Sequence, residues 1–322
     1  MSTVITYTAF GGPEVLTVTD IPTPLPGPGE LGVRIEAAGV NPLDLKLRSG
    51  ARASGDIVEP RRVGGDGAGV VTAVGDGVEG FRVGDTVVLF GAAGLYATDV
   101  VVTPGQAAIR PPQVSASEGA ALGIPAGTAY QTLRSLAVGP GDTLLVHGGS
   151  GAVGQAVIQF AVLWGATVLA TTSDRRADRV RSLGATPISY APGLEDRVRA
   201  AAPQGVTAAI DIAGTDEALE TSLALVADRD RIATLVRGKD AADLGIRAFL
   251  GGSPVPLSAQ EKAWRAEAIP VTLALLAAGR FTVELGAQVP LADAAAAHHL
   301  VADGIDGKVP ACIAQHSCCK SG

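Results

Sequence analysis

Hydrophobic and polar residues follow two different rhythms along this 322-residue chain, and the change comes near Ser117. Before it, short alternating runs separated by turn residues predict strands over 14–19, 31–38, 69–74 and 85–90. The proline- and glycine-rich stretch 22–29 predicts a loop. Asn41-Pro42 predicts a helical turn over 41–49, with asparagine as the cap and proline at the first helical position. Together these elements predict a compact, mostly β, partly barrel-like lobe.

After Ser117 an alanine-rich helical stretch runs through Thr128-Ala129-Tyr130. Strands then follow over 142–147, 167–173, 187–190, 208–212 and 231–236, with helices over 152–164, 174–183, 195–202 and 215–226 between them. Such alternation implies a parallel sheet with helices on both faces. A strand near 244–250, bordered by Gly251-Gly252, is expected at an exposed edge. A helix over 259–278, another over 292–302 and a strand over 307–314 return the chain to the first lobe. The expected fold class is α/β, with a doubly wound sheet (118–282) inserted into a mostly β domain made from 1–117 and 283–322. The cleft between the two domains is the expected substrate site.

The apolar run Leu144-Leu145-Val146 leads into Gly149-Ser150-Gly151-Ala152-Val153-Gly154, the G-x-G-x-x-G spacing. Glycine is common here, at 42 residues, so the spacing alone says little. The order strand, turn, helix, strand gives it meaning as a Rossmann dinucleotide unit. There the first glycine permits the turn, the second admits a pyrophosphate to backbone N–H groups, and the third lets the helix pack close. The second strand ends at Thr172-Ser173, followed by Asp174-Arg175-Arg176. A hydroxyl followed by guanidinium groups suits a 2′-phosphate and hence NADPH. Asp174 gripping the ribose of NAD, and a merely solvated first helical turn, are the competing readings.

Composition narrows the partners. Hydrophobic residues make up 47% and charged ones 18%, which describes a well-buried globular protein. The net charge is −7 without a basic stripe, so no nucleic-acid partner is expected. Nothing reads as a membrane span or signal peptide, and a cytoplasmic location is expected. The three cysteines, 312, 318 and 319, all lie near the C-terminal end, which leaves no thiolate for a metal upstream and no disulfide framework for the body of the fold. Cys318-Cys319 are read as exposed and unpaired. His147 reads as a strand-end residue, and His298-His299, adjacent on a helix, as structural.

Motifs spread over most of the chain resemble the zinc-independent quinone oxidoreductase (zeta-crystallin-like) branch of the medium-chain dehydrogenase/reductase superfamily. They are Ala38-Gly39-Val40-Asn41-Pro42-Leu43-Asp44, Arg48-Ser49-Gly50, Gly64-Gly65-Asp66-Gly67-Ala68-Gly69, Val83-Gly84-Asp85, Thr128-Ala129-Tyr130, the glycine fingerprint, Leu183-Gly184-Ala185 and Gly307-Lys308-Val309. The resemblance implies a GroES-like domain, a Rossmann domain and a homodimer. Zinc alcohol dehydrogenases of the same superfamily carry a cysteine about where Asn41 stands and Gly-His-Glu about where Gly65-Asp66 stands, so no metal site is expected here.

Without a metal, the acceptor must itself be electrophilic, which points to hydride transfer from NADPH to a quinone or an α,β-unsaturated carbonyl. An enoyl reductase acting on a polyketide-type intermediate and a non-catalytic NADPH-binding protein are the alternatives. By resemblance Asn41 is the oxyanion donor, with capping of the next turn as the rival role. Thr128 and Tyr130 are expected near the nicotinamide, with Tyr130 either catalytic or core filler. The cofactor set is Asn41, Thr128, Gly149, Ser150, Gly151, Ala152, Val153, Ser173, Arg176 and Tyr190. Asp44 is read as structural. Lys46 replaces an aromatic residue of some relatives, loop 51–59 lacks their tyrosine, and the proton donor is left to solvent.

Overall fold

The structure is a computed structural model that describes residues 1–249 and 255–313. The chain forms two compact units, one made of Met1–Ile124 with the segment from Ile269 onward, the other Pro125–Ala268. The divisions fall inside the helices Gly123–Ser135 and Ala259–Ala277, not at the expected 117/118 and 282/283. The helical runs continue through both divisions.

The first unit is mostly β. Ser2–Tyr7, Thr17–Ile21 and Arg61–Arg62 make a small antiparallel sheet. A seven-stranded sheet is centred on Leu31–Gly39, which pairs with Asp66–Val74 on one side and Pro310–Cys312 on the other. Register pairs Pro310 with Gly39 and Cys312 with Ala37, so the late strand does return to the first lobe. Leu31, Val33, Ile35, Val71, Val87 and Leu89 alternate inward to build its core. Strands Ser2–Tyr7, Asp99–Val102 and Ala107–Ile109 were not foreseen. Their partners lie far off in sequence, and such pairing leaves a weak local signal. Cys312 is disulfide-bonded, which the sequence reading did not anticipate; Cys318 and Cys319 lie outside the described residues.

The second unit holds an all-parallel six-stranded sheet. In space the strands run Thr186–Ser189, Thr167–Thr172, Thr143–His147, Ala208–Asp211, Ile232–Thr234 and Arg247–Ala248. Numbered along the chain this order is 3-2-1-4-5-6, the doubly wound arrangement whose switch point lies between the first and fourth strands. Helix Ala152–Leu163 is buried from Gly154 through Ala161, as its nearly uniform apolar sequence requires. The region 174–183 divides into a 3-10 turn, Asp174–Arg176, and a helix, Ala177–Ser182. The expected edge strand is the short Arg247–Ala248; Leu250, Gly251 and Gly252 lie outside the described residues.

Candidate active site

The strand Thr143–His147 ends in the turn that carries the fingerprint. Gly148 takes φ +85°, and its N–H donates to Thr171 Oγ1 at 3.0 Å. The left-handed residue is therefore Gly148, one before the expected Gly149. A Cβ on Gly149 would sit 2.6 Å from the Ala170 Cβ, so this glycine serves contact with the neighbouring strand. Gly154 is the tightest point, because a Cβ there would lie 2.2 Å from the Gly148 carbonyl oxygen. Gly151 differs from both. It caps the helix with φ −74°, and a Cβ would meet only Gly148 O, at 3.7 Å. Open space at Gly151, with the unpaired N–H groups of the helix start behind it, fits an anion approaching the backbone.

A cavity of about 260 Å³ opens at this turn, lined by His147, Gly148, Ser150, Thr172, Tyr190 and Thr215 among others. It lies at the carboxyl ends of the parallel strands, where such folds bind nucleotides. Ser150 and Tyr190 of the expected set meet here, and Tyr190 is 58% exposed with its ring on the rim. The half-buried Arg176 joins them by a contact of 3.5 Å from its guanidinium to the Ser150 carbonyl. Ser173 precedes the 3-10 turn that carries Arg176. Asp174 is exposed, and none of Ser173, Asp174 and Arg176 is among the residues that line the cavity. The residues at the glycine turn fit a dinucleotide.

Sequence reasoning missed Asp211. It is fully buried, its Oδ1 accepts N–H groups from Ala213 and Gly214 at 3.0 and 2.8 Å, and its Oδ2 accepts Thr234 Oγ1 at 2.8 Å. It shapes the loop that enters the cavity at Ala213 and Thr215. A carboxylate closing a strand at the switch point was the available signal. His147 also lines the cavity, but it is 1% exposed and its Nε2 pairs with Ser222 Oγ at 3.1 Å. Burial pushes its pKa down to about 4, so it is a neutral strand-end residue.

Asn41 stands in the other unit, inside a buried charged cluster. Its Nδ2 donates to Asp66 Oδ2 at 3.0 Å and to Gly39 O at 3.2 Å, and its Oδ1 accepts the Lys308 ammonium. Lys308 Nζ also donates to Val40 O at 2.7 Å, and Asp66 Oδ2 accepts the Ile124 N–H at 2.9 Å. Both amide hydrogens of Asn41 are thereby engaged, and the side chain is 1% exposed. As placed, Asn41 has no hydrogen left to give, so the oxyanion role expected of it would require one of these bonds to open. It caps the helix Pro42–Ser49 through its backbone, its N–H donating to Asp44 Oδ2 at 2.9 Å. Among the described residues no group of three His, Cys, Asp or Glu is placed to hold a metal ion. At Asn41 the donors do not fit zinc, because an ammonium already occupies the amide oxygen.

Comparison with known proteins agrees with this geometry. Residues 27–113 match the family model of the alcohol dehydrogenase GroES-like domain, and residues 152–252 that of zinc-binding dehydrogenase. A mycobacterial quinone oxidoreductase structure is 30% identical, with TM-score 0.78, the match covering 97% of this chain and 100% of that one. The chain belongs to the zinc-independent quinone oxidoreductase branch of the medium-chain dehydrogenase/reductase superfamily. Escherichia coli quinone oxidoreductase complexed with NADPH is 26% identical, with TM-score 0.82 over 96% of this chain and 99% of that one. A structure described as an NAD-dependent alcohol dehydrogenase is 31% identical, with TM-score 0.81 over 97% and 100%. Human quinone oxidoreductase is 37% identical over 174 residues, 53% of each chain, so the match spans about half the length of that curated relative.

Within this quinone oxidoreductase fold two further expected residues have other partners. Tyr130 is 6% exposed and donates to Glu267 Oε1 at 2.7 Å, with its ring edge-on to Phe160 and Trp164. Burial and the Glu267 carboxylate push its pKa up to about 12. Of the two roles expected for Tyr130, this placement matches core packing, with its proton held by a carboxylate; a catalytic role would require that bond to open. Thr128 Oγ1 accepts from Arg265 at 3.0 Å, so it is fixed by helix Ala259–Ala277. No described helix is long and apolar enough to cross a membrane.

Proposed function

We propose that this oxidoreductase is NADPH-dependent and reduces quinones or α,β-unsaturated carbonyl compounds. The observation that carries the reading is Arg176 meeting the Ser150 carbonyl at the glycine turn. Two relatives of known structure are described as complexed with NADPH, which supports the same cofactor. The N–H groups at the start of helix Ala152–Leu163 face the diphosphate, and Gly151 leaves it room. Arg176, with Ser173 and Tyr190, holds the 2′-phosphate. When bound, NADPH supplies a hydride. The protein orients it and keeps water from the reacting atoms, and the acceptor's own conjugation takes up the negative charge. Two copies of the chain, joined at the Arg247–Ala248 sheet edge, make up the working oligomer.

The test is a panel of small quinones and conjugated enones mixed with the protein and NADPH, with and without a metal chelator. Consumption of NADPH that ignores the chelator and is slower with NADH supports the reading. Tight NADPH binding with no turnover across the panel favours a non-catalytic binding protein.

A further inference from the structure

The first unit contains a cavity of about 180 Å³ that the reading above leaves unused. Tyr7, Asp44, Arg62, Gly64, Gly65 and Ile124 are among its walls. An acid, a phenol and a guanidinium thus border a space otherwise walled by glycine, alanine and aliphatic residues. We propose that this cavity takes the carbonyl end of the acceptor and that Asp44 delivers the proton that completes its reduction. The proposal rests on the reductase reading and deepens it by naming the acid and the subsite.

Asp44 is held in place by its neighbours. It sits in the first turn of helix Pro42–Ser49, is 4% exposed, and accepts at Oδ2 from the Asn41 N–H at 2.9 Å and from Tyr96 OH at 3.2 Å. Both of these bonds use one oxygen, and the residue forms part of the cavity wall. The groups acting on it are Lys308 and Asp66 by charge, Asn41 and Tyr96 by hydrogen bonds, and His298 beyond Tyr96 at 3.4 Å. Burial dominates them and pushes the Asp44 pKa up to about 7. An acid of that strength keeps its proton in a large fraction of molecules at neutral pH, yet releases it to an enolate. Tyr96 cannot replace it, since burial and Asp44 hold its pKa well above the usual phenol value.

The step balances in atoms and electrons. A bound NADPH would supply a hydride to the β-carbon of the enone, and the C=C electron pair would move toward the carbonyl as an enolate. The Asp44 O–H bond then breaks, and its proton forms the new bond at the α-carbon or the oxygen. For a quinone, one hydride and this one proton give the hydroquinone. Asp44 remains as carboxylate and recovers its proton from water.

Two variants test the acid and the subsite separately. Asp44→Asn keeps an oxygen for the Asn41 N–H, and unchanged NADPH affinity certifies its fold. The wild-type kcat is expected to fall as pH rises through about 7. The variant should lose about a hundred-fold in kcat together with that pH limb. Gly65→Val fills the cavity from its wall, where a Cβ meets only Ala92 O, at 3.7 Å. It should weaken binding of a small phenol, which cannot accept hydride, to the cofactor-free protein about ten-fold or more, with NADPH affinity unchanged. If wild type reduces the panel while Asp44→Asn keeps its rate and pH limb, the acid assignment is overturned. If phenol binds wild type and Gly65→Val alike, the subsite is overturned, and this readout also decides the matter should Asp44→Asn not fold. A wild type that reduces nothing but binds phenol in a Gly65-dependent way would sink the reductase reading and leave the cavity standing.

Discussion

Arg176 and Ser150 are 26 positions apart in sequence, yet the Arg176 guanidinium lies 3.5 Å from the Ser150 carbonyl oxygen. The same carbonyl accepts Gln155 Nε2 at 2.8 Å, and Gln155 Oε1 accepts Arg179 Nε at 2.8 Å. The glycine turn after the first strand and the arginines after the second are therefore one hydrogen-bonded structure. That arrangement brings a fixed positive charge to the place where the helix start is already electropositive.

The glycines of this turn should fail in different ways. Gly154→Ala puts a methyl group 2.2 Å from a backbone oxygen that cannot swing aside, and should cost at least about 2 kcal/mol of stability. Gly151→Ala has room for its methyl and an ordinary φ, so stability should hold within about 0.5 kcal/mol. Its dinucleotide affinity should nonetheless drop, because the methyl takes the space left for the phosphate. Urea melts paired with NADPH titrations separate the two effects.

Lys308 is the buried cation that faces Asp44 and Asp66 and holds Asn41 Oδ1. Lys308→Met leaves two acids in the core without it, and should destabilise the first unit by about 3–5 kcal/mol. The Asp44 titration should move further up, since the ammonium now lowers it. Denaturant unfolding, with the pH dependence followed, measures both.

His147 and His298 are buried, with pKa values pushed down to about 4 from 6.5 chiefly by desolvation. The unfolded chain then takes up protons near pH 6.5 that the folded chain refuses until about pH 4. Stability is complete above that window and is lost as pH falls through it, by about 3 kcal/mol per histidine. Asp44 acts in the opposite sense, since its folded pKa lies above its unfolded one and ionisation near neutrality is the unfavourable event. His147→Asn should flatten the acid limb of the stability curve relative to wild type, as urea midpoints between pH 7 and 4 would show.

The alternation of strands and helices after Ser117 was legible because the central parallel strands carry apolar runs, such as Leu144-Leu145-Val146 and Ala208-Ala209-Ile210, closed by a glycine or polar turn. The fingerprint was equally plain, although φ > 0 falls on Gly148 and the first motif glycine turns out to serve packing. Asn41, Asp66 and Lys308 each appeared in a quoted motif, but the sequence could not show that they bind one another. Their contacts join residues 25 and 267 positions apart: Asp66, with the nearby Gly39 carbonyl, takes the amide hydrogens of Asn41, and Lys308 takes its amide oxygen. The partner of Tyr130 was hidden for the same reason, since Glu267 lies 137 positions away. Distance in sequence, more than residue type, set the limit of reading.

The central claim is that the glycine turn and Arg176 together bind a dinucleotide carrying a 2′-phosphate. Titration of NADPH and NADH into wild type and Arg176→Ala tests it most directly. The expected result is tighter binding of NADPH by wild type, a loss of about ten-fold or more for NADPH in the variant, and little change for NADH. Equal losses for both nucleotides, or a wild type that binds neither, would contradict the assignment.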